Sequence, residues 1–410
     1  MIDNPGDALL PVPKVTFETR VWSPSDGGYY SRSEHRRQRG HYESVIPATL
    51  TEWRPHLPST VAADIEDAAR ALVDFDLYAQ RSLGADDPAV GPMAAILLRT
   101  ESASSSQIEN LTTSAKQIAL AELEESDKSN ALTAIGNVRA MEAALRLSDQ
   151  IDEETILAMH RALLNHQRGF EQHAGRFRDE LVWIGKDNAG PLGAEFVAPQ
   201  PERVSAAVRD IIVFADRDDL PVLVQVAVAH AQFETIHPFG DGNGRTGRAL
   251  AQAMLRSKGL VSHTTVPISA GLLRATGSYF EALSAFRSGD AAPIVCRFAE
   301  ASRFAVVSGR SLVDHLAEQL AVSRDRLTGV RAHASAWRVL PRLVGQPIVN
   351  ARYLKGELGL NDVTAKRTLD LLTERGVLTE RTGLRRNRVW QHSGILDVLD
   401  DYANGIRRGG

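Results

Sequence analysis

Residues 237–248 read HPFGDGNGRTGR: one histidine, one carboxylate, four glycines and two arginines in twelve positions. Gly242, Gly244 and Gly247 satisfy the G-x-G-x-x-G spacing of a dinucleotide-binding turn. That turn needs a buried strand before it and an acidic residue about 20 positions later for the ribose hydroxyls. Here the preceding PVLVQVAVAHAQFETI has the length of a helix, and the next acidic residue after Asp241 is Glu281. The stretch therefore reads as a glycine-rich turn feeding a helix, and the fold as mainly α.

The rest of the chain fits that reading. Its 410 residues exceed one ordinary core, so two or three domains are expected. A composition of 43% apolar and 24% charged residues is that of a soluble globular protein, and a net charge of −4 argues against bulk nucleic-acid binding. The single cysteine, Cys296, excludes an intramolecular disulfide and a cysteine-based metal cluster. No apolar run reaches membrane-spanning length, and MIDNPGDALLPVPK carries acids and prolines where a signal peptide carries bases and an apolar core. The expected compartment is the cytoplasm.

Residues 1–45, rich in Gly, Ser, Pro and Arg, read as a loosely ordered arm with Arg36, Arg37 and Arg39 as a solvated basic cluster. Apolar residues at three- and four-residue steps predict an N-terminal helical region over 46–125, a helical core over 126–300 and connecting helices over 301–340. Inside the core, Leu181–Ile184 and Phe196–Val197 flank a glycine-rich connection and predict a β-hairpin, stopped by Pro199 and Pro201. A hairpin inside a helical domain suits a functional flap. Residues 341–410 read as a winged helix-turn-helix domain, with Gly383 in the turn of the wing.

The chemistry follows from residue types. A glycine-preceded helix start presents unpaired amides, here Gly242, Asn243 and Gly244, suited to phosphates. Arg245 and Arg248, three residues apart, project to one side and reach successive phosphates. Asp241 is placed to hold Mg²⁺ between phosphate oxygens, and His237 to take a proton from an attacking hydroxyl. Together these describe a nucleotide phosphate-transfer site. A metal hydrolase built on His230 and His237 lacks the HExxH geometry.

HPFGDGNGRTGR is similar at every fixed position to the signature of the Fic domain, and the resemblance extends over about 105–300. It implies a Fic-type helical bundle with a β-hairpin flap, and AMPylation: transfer of AMP from ATP to a Ser, Thr or Tyr hydroxyl of a protein. Carried onto these positions, His237 is the general base and Asp241 the Mg²⁺ ligand. Gly242, Asn243, Gly244, Arg245, Thr246, Gly247 and Arg248 hold the ATP phosphates, and Tyr279 contacts the adenine. Val182, Trp183, Ile184 and Gly185 form the flap that aligns the target backbone by strand addition.

SSQIEN also resembles the inhibitory motif of regulated family members, with Ser105, Glu109 and Asn110 at its fixed positions. The resemblance implies that Glu109 pairs with Arg248 in place of the γ-phosphate, and leaves room for the reverse, de-AMPylating reaction. The alternative of another class is a DNA-binding transcriptional regulator using the Fic domain as a nucleotide sensor. It draws on Lys366 and Arg367 of the recognition helix and Arg381, Arg385, Arg386 and Arg388 of the wing, diluted by Glu374 and Glu380. Expected partners are ATP, a protein target, the chain itself as a target, and a second copy in a homodimer, but no membrane.

Overall fold

From Leu223 to Ile236 every residue is buried. A helix buried on all sides belongs at the centre of a helical assembly, and the helix Val222–Ile236 has that place in its unit, with Gln225, His230, Gln232 and Glu234 buried along it. The computed structural model of the chain describes residues 9–24, 31–82, 87–165, 167, 169–185, 190–381 and 388–407. Helices dominate these residues, with strands confined to small antiparallel pairs and one three-stranded sheet. Two compact units interleave along the sequence: Met1–Asp67, Ala143–Lys258 and Gly277–Ala299 form one, and Ala68–Glu142, Gly259–Thr276 and Glu300–Gly410 the other. The five consecutive segments read from the sequence therefore mix differently in space, because segments far apart in the chain bury their apolar faces together.

In the first unit the central helix packs against the helix Asn243–Ser257, which follows the signature loop, and against Pro201–Asp216. Gly247 permits the first of these contacts. A Cβ there would lie 3.0 Å from the Phe233 ring and 3.3 Å from His230 Nδ1. The helix Glu153–Leu164 is capped by Asp152, whose side chain accepts from Thr155 N, and it packs on the same signature helix. The flap is a pair of two-residue strands, β3 (Trp183–Ile184) and β4 (Phe196–Val197), in register Trp183↔Val197 and Ile184↔Phe196. Gly185 follows β3 directly, and Val182 accepts a backbone bond from Ala198.

The loosely ordered arm is corrected by the structure. Strands β1 (Thr16–Trp22) and β2 (Gly40–Ile46) form a seven-pair antiparallel hairpin. Val15 and Val45 pack with Phe196 and Ala198, and Leu10 is fully buried, its amide bonded to Asp290. Alternation over TFETRVW is weak because one face carries Glu18 and Arg20, which the fold satisfies with ion pairs rather than water: Glu18 accepts from Arg203 Nε at 2.6 Å. Of the arginine cluster, Arg36 and Arg37 are exposed at the end of a short helix, Arg32–Arg37, and Arg39 is exposed beyond it.

The second unit is built around the helix Val90–Ile108. Glu101 on it is buried, and its carboxylate accepts from Ser269 N at 2.8 Å and Ser269 Oγ at 2.6 Å. The C-terminal part runs as a helix Ala351–Leu358, a turn with Gly359 left-handed, and a helix Asp362–Glu374 capped by Asn361. Strands β5 (Ile348–Val349), β6 (Thr379–Glu380) and β7 (Trp390–Gln391) follow the order β5-β7-β6, and a helix Ser393–Arg407 closes the chain. Gly383, Arg385 and Arg386 lie outside the described residues. Among the described residues no helix is long and apolar enough to cross a membrane.

Candidate active site

The signature loop begins where the central helix stops. His237 caps that helix in the left-handed region, φ 50° and ψ 61°. A non-glycine residue there is strained by about 1–3 kcal/mol and persists only when its surroundings hold it. Arg178 does the holding. Its Nε donates to His237 O at 2.7 Å, Nη1 to Glu180 O at 2.8 Å, and Nη2 to Pro199 O at 2.7 Å, so one buried guanidinium ties the catalytic loop to both ends of the flap. Burial lowers this guanidinium to about 10, still charged at neutral pH.

His237 Nδ1 lies 3.3 Å from the carbonyl of Glu234. A carbonyl only accepts, so Nδ1 carries the proton and Nε2 keeps the lone pair. Burial, which outweighs the Glu234 carbonyl, lowers this imidazole to about 4. It is therefore neutral at physiological pH, with the Nε2 lone pair free of a proton. The Phe196 ring of the flap stands 6.4 Å from the His237 ring, centroid to centroid.

The turn itself is anchored from beneath. Phe239 is fully buried, and its ring stacks on His160 at 3.6 Å. Asn243 locks the turn by a reciprocal pair, Oδ1 accepting from Phe239 N and Nδ2 donating to Phe239 O, both at 2.8 Å. Its side chain is thus structural, and only its amide faces the helix start. Gly242 has φ 76°, and a Cβ there would lie 2.6 Å from Leu163 Cδ2, so glycine is needed on both counts.

Asp241 and Arg245 meet: Arg245 Nη2 is 3.3 Å from each carboxylate oxygen, and Gln167 Nε2 donates to Asp241 Oδ2 at 2.8 Å. Burial alone would raise the Asp241 carboxyl; Arg245, the Gln167 amide and Gly242 N–H together bring it below its ordinary value. A single ionised carboxylate fits Mg²⁺, which takes most of its ligands from phosphates and water. Among the described residues no group of three or more His, Cys, Asp or Glu could hold a metal by itself.

Other sequence-derived residues sit elsewhere. Thr246 is fully buried and Gly247 serves helix packing, so neither side is turned to a nucleotide. Arg245 and Arg248, expected to reach successive phosphates from one side of the helix, are buried as well. The first helical turn faces inward because Leu163, Phe233 and His230 surround it. Tyr279 is 1% exposed and its hydroxyl lies 2.8 Å from His230 Nε2 in the core of the unit.

The helix Val90–Ile108 ends one residue before Glu109, so Ser105 lies inside it, buried, and Glu109 forms its C-cap. Asn110 takes φ 61°, with Asn110 N donating to Gln107 O and Leu111 N to Ser106 O. That bond pair is the Schellman cap, which needs a left-handed residue after the C-cap. A requirement for Gly or Asn at that motif position thereby has a physical cause.

In the C-terminal part, Lys366 and Arg367 are exposed on the helix Asp362–Glu374. Arg388 Nε instead pairs with Glu380 at 2.7 Å, and Arg381 donates to Gln391 at 2.8 Å.

Sequence reasoning missed His160, Gln167, Arg178 and Arg287. Arg287 Nη2 donates to Glu234 O at 3.3 Å and its guanidinium lies 3.9 Å over the Phe196 ring. None stands out in the sequence: Gln167 lies in NHQRG and Arg178 in GRFRDE, polar stretches whose partners are set only by the fold. We expect Arg178→Met to cost about 3 kcal/mol or more, because it orphans several buried carbonyls at once. Urea titration measures this, and an unchanged midpoint would refute the anchoring role.

Four imidazoles are held neutral chiefly by burial: His160, His237 and His392 at about 4 and His230 at about 3. Below the ordinary imidazole value the unfolded chain takes up protons that the folded chain refuses. Stability is therefore complete above pH about 6.5 and is lost as pH falls toward 4, at ~1.4 kcal/mol per histidine per pH unit. A melting temperature that stays level from pH 6.5 to 4.5 would contradict this.

Residues 150–255 match the model of the Fic/DOC family, and the chain carries a domain of that family there. The chain is 30% identical over 170 residues to the protein adenylyltransferase fic-1 of Caenorhabditis elegans, covering 38% of this chain and 30% of that protein. It is 30% identical over 173 residues to a probable protein adenylyltransferase of Aquifex aeolicus, covering 40% of this chain and 50% of that protein. The chain thus spans half or less of these curated relatives. A Fic family protein of Desulfovibrio desulfuricans has a similar fold, with a TM-score of 0.51 at 23% identity over 82% of this chain and 97% of that one.

Proposed function

We propose that the chain is a Mg²⁺-dependent protein adenylyltransferase of the cytoplasm, restrained by Glu109, that moves AMP from ATP to a Ser, Thr or Tyr hydroxyl of a protein target. The observation that carries this reading is His237, neutral, fixed in one tautomer and held at the mouth of a glycine-led helix N-terminus beside the flap. The hydroxyl oxygen forms a bond to the α-phosphorus as the bond from that phosphorus to the bridging oxygen breaks. Pyrophosphate leaves, and the hydroxyl proton passes to His237 Nε2. The first-turn amides of the signature helix and its dipole oppose the phosphate charge. Asp241 would hold Mg²⁺, which when bound neutralises phosphate charge. The similarity to proteins named adenylyltransferases supports the same reading.

The test is incubation with ATP labelled at the α- or at the γ-phosphorus. Label in protein from the α position alone is expected; label from γ, or from neither in the Glu109→Gly protein, overturns the reading. The exposed Lys366 and Arg367 favour a second reading, a DNA-binding regulator. A salt-dependent shift of duplex DNA by the whole chain, without any labelling, would support it.

A further inference from the structure

The two faces of the N-terminal hairpin have different fates. Glu18 and its same-face neighbours are committed: Glu18 binds Arg203, Trp22 packs on Trp183 at 5.5 Å, and Gln200 Nε2 donates to Tyr42 Oη at 3.0 Å and Ser44 Oγ at 2.9 Å. Gln38 clamps the flap's return segment, exchanging bonds of 3.0 and 2.9 Å with Leu192. The hairpin is therefore fixed to the flap. Its other face is covered by Phe196 only at the Val15 and Val45 end. Even there Phe17, the pair partner of Val45, is 58% exposed, and the face opens further to Val21, two pairs on, which is 68% exposed.

Between this open face and the flap's return segment runs a groove of about 770 Å³. Its inner end is Arg287 and Phe196, which adjoin the His237 ring and the Glu234 carbonyl that orients it. Glu43 and Glu195 stand exposed on its walls, and Phe17 supplies apolar surface. Arg287 keeps its charge but is turned at the inner end to the Glu234 carbonyl and the Phe196 ring, so along the walls Glu43 and Glu195 set the charge a ligand meets.

We propose that this groove binds an extended segment of the protein target in which a basic residue lies beside an apolar one, and that the hairpin thereby sets target choice. The inference rests on the site being one that modifies proteins. Continuity with the His237 loop makes the segment contiguous with the modified hydroxyl. The basic side chain sits between Glu43 and Glu195, and the apolar one lies against Phe17.

The test has two arms, both on the full chain. Panning a phage-displayed library of random peptides of about twelve residues against immobilised protein, without nucleotide, is expected to enrich Lys or Arg next to an apolar residue. Glu43→Lys with Glu195→Lys should weaken binding of the enriched peptides about tenfold or more and shift selection toward acidic ones. Phe17→Ser should remove the apolar preference. No enrichment, or enrichment indifferent to these changes, overturns the groove. The second arm offers a Ser-containing form of an enriched peptide and ATP to the Glu109→Gly protein. Binding without transfer refutes the adenylyltransferase reading while the groove stands; transfer at equal rates by the Glu43→Lys, Glu195→Lys protein refutes the groove alone.

Discussion

In a Glu109→Gly background, His237→Ala is expected to slow AMP incorporation by about 10²–10⁴-fold while ATP binding is retained, the range that a positioned general base contributes. The loop need not collapse with the substitution, because its anchors are elsewhere: Phe239 in the core, the Asn243 clamp, and Arg178 on the main-chain carbonyl of residue 237. What is lost is the lone pair of Nε2. Because the imidazole is lowered to about 4, it stays unprotonated throughout the neutral range. The rate with His237 present should accordingly be level from pH about 8 down to about 5 as far as this group decides it, and fall only below that. A fall on the acid side with its midpoint near 6.5 would mean that the ring is solvated when it works. Equal rates with histidine and alanine, measured as label per unit time, would remove it from the mechanism.

How much of this was legible beforehand depends on the distance over which each feature is decided. The central helix and the signature turn are local: a helix-length stretch rich in apolar residues, a histidine that tolerates the left-handed region, and glycines where a Cβ would crowd its neighbours. The flap strands were legible for the same reason, as two apolar pairs around a glycine-rich connection. The N-terminal hairpin was not, because its alternation is masked by Glu18 and Arg20, whose partners lie some 180 residues away at Arg203 and Glu202. Nor was the burial of Arg245 and Arg248 visible. Spacing fixes their angular position on the helix, but only the packing of neighbouring helices decides whether that side is solvent or core. The same holds for Tyr279, an aromatic at helical spacing whose buried partner is His230.

The second large effect concerns Glu109. Glu109→Gly is expected to raise AMP incorporation by about 5–150-fold, the range of a coupling of 1–3 kcal/mol between an inhibitory contact and a ligand site. The placement of the residue argues for it. Glu109 caps the C-terminal end of the helix Val90–Ile108, where the helix dipole is negative and a carboxylate is disfavoured by about 0.3–1 kcal/mol. A carboxylate kept at that end is costly unless a cation offsets it. The cap bonds run through the backbone of Gln107, Asn110 and Leu111, so glycine at 109 removes the carboxylate and leaves the helix end intact. Comparison with Glu109→Gln separates charge from shape: release by both substitutions assigns inhibition to the charge, and release by glycine alone assigns it to the bulk of the side chain. If neither releases activity, Glu109 is not the inhibitor. If Glu109 also positions water for removal of AMP, glycine should slow loss of label from pre-modified protein, so the same two variants read both directions of the reaction.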